Sequence, residues 1–121
     1  MTNKPKFTLF KNITYAMVGM REVLRSETSF KTQLVAIALV TVGLVFAPLP
    51  TISKLILFVS MWLIPLVEAI NSAIERVVDL VTQEYHPLAG QAKDIGAFAV
   101  FIAFVIVVMI WGVVLYAQIP Q

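Results

Sequence analysis

Five polar residues recur at helical spacing in the stretch VEAINSAIERVVD, residues 67–79, directly after a strongly apolar run. They are Glu68, Asn71, Ser72, Glu75 and Asp79. On a helix that turns about 100° per residue, all five fall within a narrow band on one face. Carboxylates with an amide between them suit hard divalent cations such as Mg²⁺, which take oxygen ligands and usually keep substrate phosphates in their shell. These five residues, the acidic stripe, are therefore a candidate magnesium site.

The acidic stripe follows the apolar run LILFVSMWLIPLV, so its members should sit at different depths in a membrane. Glu68 would lie about 10 Å deeper than Glu75. A charge deep in hydrocarbon costs at least about 2.5 kcal/mol on insertion scales, so other groups must compensate it. A free carboxylate in a partly desolvated setting can act as a general base, which fits Glu68 better than Asp79. Ordinary ion pairing near the interface, for example by Arg76, remains the alternative for Asp79.

Composition and hydropathy predict a membrane protein. The chain has 121 residues, of which 60% are apolar and 13% charged, and its mean hydropathy is +0.90. A soluble domain this small could not hide so much apolar surface in one core. There is no cysteine, and His86 is the only histidine, which argues against a zinc site of ordinary composition. The glycine-rich loops of soluble nucleotide-binding enzymes are also missing.

Three apolar stretches are long enough to cross a membrane, at about 29–48, 53–82 and 92–118. The basic residues that precede the first of them are Lys4, Lys6, Lys11, Arg21, Arg25 and Lys31. Because an excess of lysine and arginine marks the cytoplasmic side, the N-terminus and the acidic stripe should face the cytoplasm. Lys93 and Asp94 stand where the third span is predicted to begin, and a helix N-terminus beside an ammonium group favours phosphate. Snorkelling of Lys93 at the interface is the simpler alternative.

The segment before the first span, about 5–26, has the pattern of a helix that lies in the membrane interface. Its apolar residues fall at spacings of three and four, with basic and polar residues on the other faces. They are Phe7, Phe10, Ile13, Met17, Met20 and Leu24. We therefore expect one all-α domain, 1–121, with an N-terminal amphipathic surface helix and three transmembrane helices. Three spans from one chain could hardly enclose the acidic stripe, so we also expect a homo-oligomer.

The stretch EAINSAIERVVD, followed by EYHPLAGQAKDIGA, closely resembles the signature of the bacterial membrane-integral diacylglycerol kinase family, which includes diacylglycerol and undecaprenol kinases. The similarity covers nearly the whole chain, including RSETSF before the first span. It implies a homotrimer in the bacterial inner membrane, with active sites shared between neighbouring subunits. It also implies transfer of the γ-phosphate of MgATP to a lipid alcohol, with diacylglycerol as the expected acceptor and phosphatidic acid as the product.

The resemblance further implies roles for individual residues. Glu68 is similar to the general base that takes the proton of the lipid hydroxyl, and Glu27 and Glu75 are similar to the Mg²⁺ ligands. The implied ATP-binding residues are Tyr15, Glu27, Asn71, Glu75, Glu84, Tyr85, His86, Lys93 and Asp94. The implied lipid contacts are Arg21, Ser29, Glu68 and Trp111. The chain departs from the family pattern near Thr8, where relatives often carry an arginine, and at Ala97, where they can carry a serine.

Two other functions compete with diacylglycerol phosphorylation. An undecaprenol kinase would share the catalytic residues and differ mainly at lipid-contacting positions. The charged, aromatic N-terminal helix and a last span that extends to Tyr116 favour diacylglycerol. An ion-conducting subunit would use an intramembrane carboxylate to carry the ion. That function predicts a single acid near mid-span, whereas Glu68, Glu75 and Asp79 climb towards one interface, so the kinase hypothesis is preferred.

Overall fold

The structure, a computed structural model, describes residues 8–120, and the regular elements within that range are all helices. They are α1 (Leu9–Ser26), α2 (Thr28–Phe46), α3 (Thr51–Met61), α4 (Leu63–Val81) and α5 (Pro87–Tyr116). The predicted all-α class is confirmed for this part of the chain. Residues 5–7, which the sequence assigned to the N-terminal helix, lie outside the described residues.

Within the described range, three helical stretches are long and apolar enough to cross a membrane: Thr28–Phe46, Thr51–Val81 and Pro87–Tyr116. The second of them combines α3 and α4. Few residues of these stretches are buried inside the chain, and large apolar side chains such as Leu39 and Met109 are exposed. Apolar surface of this extent needs an apolar environment. The chain is therefore a multi-pass membrane protein.

The sequence predicted one span over 53–82, and the structure has one such stretch, Thr51–Val81, with an interruption at Trp62. The Trp62 backbone N–H bonds to the Val59 carbonyl at 3.2 Å, which closes a tighter turn than an α-helix makes. We attribute the interruption to Pro65, which has no N–H for the Met61 carbonyl and whose ring crowds the preceding turn. The interruption leaves Pro65 in the first turn of α4, where proline is tolerated. The helix with the acidic stripe therefore begins as an element of its own.

The apolar core lies on the α3 side of this interruption. Its buried members are Ile37, Leu44, Leu57 and Met61. Leu57 is completely buried. Trp111 of α5 packs against these residues, and its indole N–H donates to Ser60 Oγ at 3.2 Å. Helices α2, α3 and α5 thus meet in apolar contacts that include one hydrogen bond between side chains.

Helix α5 begins earlier than the sequence predicted. His86 caps it, because its Nδ1 accepts a hydrogen bond from the Leu88 backbone N–H at 3.2 Å, and Pro87 takes the first helical position. The expectation that Lys93 and Asp94 stand at the start of this helix is therefore wrong, since both lie in its second turn. The proline that suggested a loop has the fixed φ that the first helical position needs.

Candidate active site

The acidic stripe of α4 faces three neighbouring parts of the chain. Helices α4 and α5 form the most extensive helix pair, and α2 and the α1–α2 junction also reach α4. Glu68 meets α2, Ser72 meets the α1–α2 junction, and Asp79 meets α5. Contacts between helices, rather than the geometry of α4 alone, therefore determine where each carboxylate points.

Glu68 is partly buried, and both of its carboxylate oxygens accept hydrogen bonds from α2. Ser29 Oγ donates to Oε1, and Gln33 Nε2 donates to Oε2. Ser29 and Gln33 are four residues apart, so they share one face of α2. Hydrogen bonds to a charged acceptor are stronger than neutral ones, and this pair fixes the orientation of the carboxylate. Gln33 was not among the residues predicted from the sequence, although an amide one turn after Ser29 in an apolar helix was an available signal.

Glu27 is the single residue between α1 and α2, and its backbone is extended, with φ −106° and ψ 108°. This bend between the two helices lets its side chain reach α4. Ser72 Oγ donates to Glu27 Oε1 at 2.8 Å, across a sequence separation of 45 residues. Ser72 is buried, so its hydroxyl needs a protein acceptor in place of water. The junction thereby adds a carboxylate to the acidic stripe.

Glu75 is held by its neighbour on the preceding turn of α4, where Asn71 Nδ2 donates to Glu75 Oε1 at 3.1 Å. Ser72 and Glu75 are three residues apart, so the carboxylates of Glu27 and Glu75 approach the same face of α4. The hydrogen bonds engage Oε1 of each carboxylate, and neither Oε2 has a donor among residues 8–120. Each acid therefore keeps one oxygen for a ligand.

These two carboxylates fit the Mg²⁺ ion that the sequence predicted. Among residues 8–120, no group of three or more acidic or histidine side chains is arranged to hold a metal ion. Mg²⁺ does not require such a group, because it is commonly bound by one or two carboxylates together with substrate phosphates and water. Glu27 and Glu75 supply two carboxylates with one oxygen each to spare. Two carboxylates of this kind are compatible with a Mg²⁺ ion whose other ligands are phosphate and water oxygens.

Arg76 links α4 to the end of α1. Its guanidinium donates to Ser26 Oγ at 2.6 Å and lies 3.9 Å from Glu22 and 3.8 Å from Glu27. The sequence left Arg76 as a possible ion-pair partner of Asp79, whereas the structure pairs it with Glu22 and Glu27. The Arg76 side chain is 43% exposed, so these ion pairs contribute little to stability. These contacts hold the α1–α2 junction beside α4.

Asp79 forms an ion pair, which was the alternative that the sequence left open for this residue. Its partner is Lys93. The Lys93 Nζ lies 2.7 Å from Asp79 Oδ1. The two side chains are 42% and 56% exposed, so the net contribution of this pair to stability is small. The contact joins α5 to α4 and keeps an ammonium group next to the exposed end of the acidic stripe.

Five further residues of the predicted site lie on the surface of the described chain: Tyr15, Arg21, Glu84, Tyr85 and Asp94. Their side chains make no hydrogen bond or ion pair with residues 8–120. Tyr85 is 94% exposed, so the described part of one chain does not enclose it. The structure therefore does not bring these residues into contact with the acidic stripe.

Two more predicted site residues have partners elsewhere in the fold. His86 caps α5, as described above. Trp111 packs with Ser60 and the apolar core. Ser60 precedes Glu68 by eight residues, which corresponds to about 12 Å along a helix. Within one chain, the predicted lipid contact Trp111 therefore lies apart from the predicted base.

Comparisons with known proteins identify the family. The profile of the family described as prokaryotic diacylglycerol kinase matches residues 14–115. The diacylglycerol kinase of Escherichia coli (strain K12) is 37% identical over 117 residues, which cover 96% of each chain. The diacylglycerol kinase of Haemophilus influenzae is 36% identical over 109 residues, 89% of this chain and 92% of the relative. The undecaprenol kinase of Bacillus subtilis (strain 168) is 34% identical over 107 residues, 88% of this chain and 86% of the relative.

The matched region runs from α1 into α5, so it includes the contacts described for Glu27, Glu68 and Glu75. A profile that covers most of the chain agrees with relatives that align over nearly its whole length. This chain therefore belongs to the prokaryotic diacylglycerol kinase family, and it is accordingly a kinase.

Proposed function

We propose that this chain transfers the γ-phosphoryl group of MgATP to the hydroxyl group of diacylglycerol, which yields phosphatidic acid and ADP. The observation that carries the proposal is the placement of Glu68, which is partly buried and held by Ser29 and Gln33 on the apolar side of the carboxylates of Glu27 and Glu75. A lipid hydroxyl can approach Glu68 from the membrane, while a nucleotide can approach the other two acids from the water.

Glu68 acts as the general base in this proposal. The oxygen of the lipid hydroxyl forms a bond to the γ-phosphorus, the bond between that phosphorus and the leaving ADP oxygen breaks, and the hydroxyl proton passes to Glu68. The hydrogen bonds from Ser29 and Gln33 orient the carboxylate before the lipid arrives. General-base catalysis of this kind typically contributes about 10²–10⁴-fold to the rate.

Glu27 and Glu75 would hold Mg²⁺, because each has a carboxylate oxygen that receives no donor from residues 8–120. When bound, Mg²⁺ supplies positive charge to the phosphate oxygens, which is the main form of catalysis available to phosphoryl transfer. Asn71 fixes Glu75, and Lys93 provides a cation for the polyphosphate next to Asp79. About 10 Å of helix axis separates Glu68 from Glu75, so one nucleotide can span the two ends of the site.

The nucleoside end of ATP is assigned to residues around the α4–α5 loop and α1. They are Tyr15, Glu84, Tyr85, His86 and Asp94. Exposed aromatic rings offer stacking surfaces for a base, and exposed carboxylates can accept hydrogen bonds from ribose hydroxyls. Because these side chains are exposed in one chain, we propose that a neighbouring subunit of a homotrimer completes the enclosure. Arg21 and Trp111 are assigned to the lipid path.

The site faces the cytoplasm of a bacterial inner membrane in this proposal, with the N-terminus inside and α1 lying as an amphipathic helix on the membrane surface. The basic residues that precede the first span support this orientation. The exposed apolar residues of α1, such as Phe10 and Met17, support its contact with the membrane. Arg76 then holds the end of this helix beside the active site.

Diacylglycerol is the first candidate for the lipid acceptor, because the relatives that match 96% of the chain are named diacylglycerol kinases. Undecaprenol is the second candidate, because a relative at 34% identity is named an undecaprenol kinase. The two lipids differ in the bulk next to the hydroxyl and in chain length, so they test the membrane side of the site. The nucleotide side is expected to be the same for both.

A direct assay tests the proposal. The purified protein is incubated in mixed micelles with Mg²⁺, ATP labelled at the γ-phosphate, and either diacylglycerol or undecaprenol. We expect label in phosphatidic acid, a slower or absent reaction of undecaprenol, and labelling of diacylglycerol about 10³-fold slower with Glu68→Gln. Faster labelling of undecaprenol would reassign the acceptor. A folded protein that labels neither lipid would overturn the proposed function.

A further inference from the structure

Gly96 differs from the other glycines of the chain in what surrounds it. A Cβ added at Gly96 would collide with Asn71 Oδ1 and lie 3.0 Å from Asn71 Cγ. At Gly19, Gly43, Gly90 and Gly112, a Cβ would meet nothing within 4 Å. Gly96 is buried inside α5, where glycine costs about 1 kcal/mol relative to alanine. A glycine at this position is therefore explained by the close approach of Asn71.

The Asn71 carboxamide has a defined orientation because its two ends face different neighbours. Its Nδ2 donates to Glu75 Oε1 at 3.1 Å, and a carboxylate can only accept, so the amide end must face Glu75. Its Oδ1 then faces Gly96, in the space that a Cβ would fill. This buried oxygen has no hydrogen-bond donor among residues 8–120. The Asn71 Oδ1 instead contacts the Cα–H groups of Gly96, which are weak hydrogen-bond donors.

A side chain at position 96 would push the carboxamide out of this space. Asn71 could not move without weakening its bond to Glu75, because the same rigid planar group makes both contacts. Glu75 would then lose the neighbour that orients its carboxylate. The backbone of α5 at Gly96 thus sets the position of Asn71, and Asn71 orients Glu75. Glu75 is the acid that the proposed function assigns to MgATP.

We propose that Gly96 is a positioning residue for the nucleotide side of the active site. The absence of its Cβ lets Asn71 hold Glu75 in the orientation that binds MgATP. Only the expected effect on MgATP binding rests on the proposed function. The packing between Gly96 and Asn71 can be tested on the folded protein without any substrate.

The packing test is a double-mutant cycle on thermal stability in micelles, with Gly96→Ala, Asn71→Ala and the double variant. Gly96→Ala alone should lower the Tm of the protein. In the Asn71→Ala background this loss of Tm should nearly vanish, because the substitution removes Oδ1 and Cγ. The atom that remains, the Cβ of residue 71, lies at an ordinary contact distance of 3.8 Å from the Cβ added at position 96. Gly112→Ala and Gly43→Ala are matched controls, since each has open space and should not couple to Asn71.

The kinetic test compares the KM values for the two substrates in Gly96→Ala. The KM for MgATP should rise roughly tenfold or more, as is typical when a residue that orients a metal ligand is disturbed. The KM for the lipid should change less than about twofold, because Glu68 and its α2 partners are not touched. A general loss of folding would instead lower the active fraction without changing either KM.

Each outcome has one meaning. An equal loss of Tm from Gly96→Ala in both backgrounds would overturn the proposal, and so would an unchanged KM for MgATP. If Gly96→Ala fails to fold but the double variant folds, the contact with Asn71 is the cause and the packing part is supported; if neither folds, the proposal is overturned. A wild-type protein that phosphorylates no lipid but shows the Tm coupling would refute the proposed function and leave the packing intact.

Discussion

The two sides of the Trp62 interruption are stabilised in opposite ways. On the α3 side, helices meet through apolar contacts around Leu57 and a hydrogen bond from Trp111. On the α4 side, they meet through carboxylates that accept hydrogen bonds or form ion pairs with other helices. The buried members of the apolar core, Ile37, Leu44, Leu57 and Met61, carry no group that could bind a charged ligand. The polar side combines close packing of α4 on α5 with exposed carboxylates and an ammonium group.

Both sides belong to one apolar stretch of 31 residues, Thr51–Val81, in which Trp62 separates α3 from α4. The Leu66 N–H bonds to the Trp62 carbonyl at 3.1 Å, so helical hydrogen bonding resumes directly after the interruption. The two sides therefore differ in the side chains that they present to α2 and α5. We therefore expect substitutions on the α3 side to change stability and substitutions on the α4 side to change activity.

Glu68→Gln should have the largest effect on the α4 side. Glutamine keeps the size of the side chain but cannot take a proton, so turnover should fall by about 10³-fold, within the usual range for loss of a general base. The KM for MgATP should change little, and the Tm should stay close to that of the wild type. The measurement is the initial rate of lipid labelling at saturating MgATP. Near-normal turnover in this variant would remove Glu68 from the proton transfer.

Leu57→Ala should have the largest effect on the α3 side. Leu57 is completely buried, so the change leaves a cavity that costs about 2 kcal/mol. This value is near the low end for such changes, because in a membrane the loss is mainly one of packing contacts. Denaturant titration in mixed micelles measures it, with Leu39→Ala, at a 69% exposed position, as the matched control. A folded Leu57→Ala protein with normal stability and altered KM values would contradict the division between the two sides.

Glu75→Gln should weaken binding of MgATP as well as turnover. The amide that replaces the carboxylate is a poorer ligand for Mg²⁺, so the KM for MgATP should rise by roughly tenfold, about 1.4 kcal/mol. Varying Mg²⁺ at fixed ATP should shift the half-saturating concentration upward in this variant. Glu22→Gln is a suitable control, since Glu22 is 60% exposed and only contacts Arg76 at 3.9 Å. Equal KM values in Glu75→Gln and wild type would exclude Glu75 as a ligand.

The sequence predicted those parts of the fold that depend on local patterns. The spacing of Glu68, Asn71 and Glu75 predicted a single helix, and α4 contains all three. Apolar length predicted three stretches able to cross a membrane, and residues 8–120 contain three helical stretches of that length and composition. The start of α5 was wrong because proline breaks a helix in its middle but suits its first position, and the sequence around Pro87 did not show which applied.

The neighbours of the carboxylates could not be predicted in the same way. Gln33 is 35 residues from Glu68, and Ser72 is 45 residues from Glu27. Periodicity shows which residues share a face of one helix, but it does not show which face of another helix packs against it. The roles of exposed residues such as Tyr85 stay predictions, since residues 8–120 give their side chains no hydrogen-bond or ion-pair partner.

Trp111→Phe is the smallest expected effect and tests the border between the two sides. Family resemblance assigned Trp111 to the lipid path, whereas the structure places it against the apolar core with its N–H on Ser60 Oγ. Phenylalanine keeps most of the packing and removes this donor. Ser60 keeps its own hydrogen bond to the Leu57 carbonyl at 2.8 Å, so the hydroxyl is not left without a partner. The loss of stability should therefore be about 1 kcal/mol.

The KM for the lipid separates the two roles of Trp111. If Trp111 only packs on the α3 side, Trp111→Phe should leave this KM unchanged. The control Trp62→Phe, at a 45% exposed position, should also leave it unchanged. A residue that contacts the lipid should raise the KM even though Phe preserves the core. If the KM rises, the lipid path extends about 12 Å from Glu68 towards the apolar core, and the α3 side then serves both packing and substrate binding.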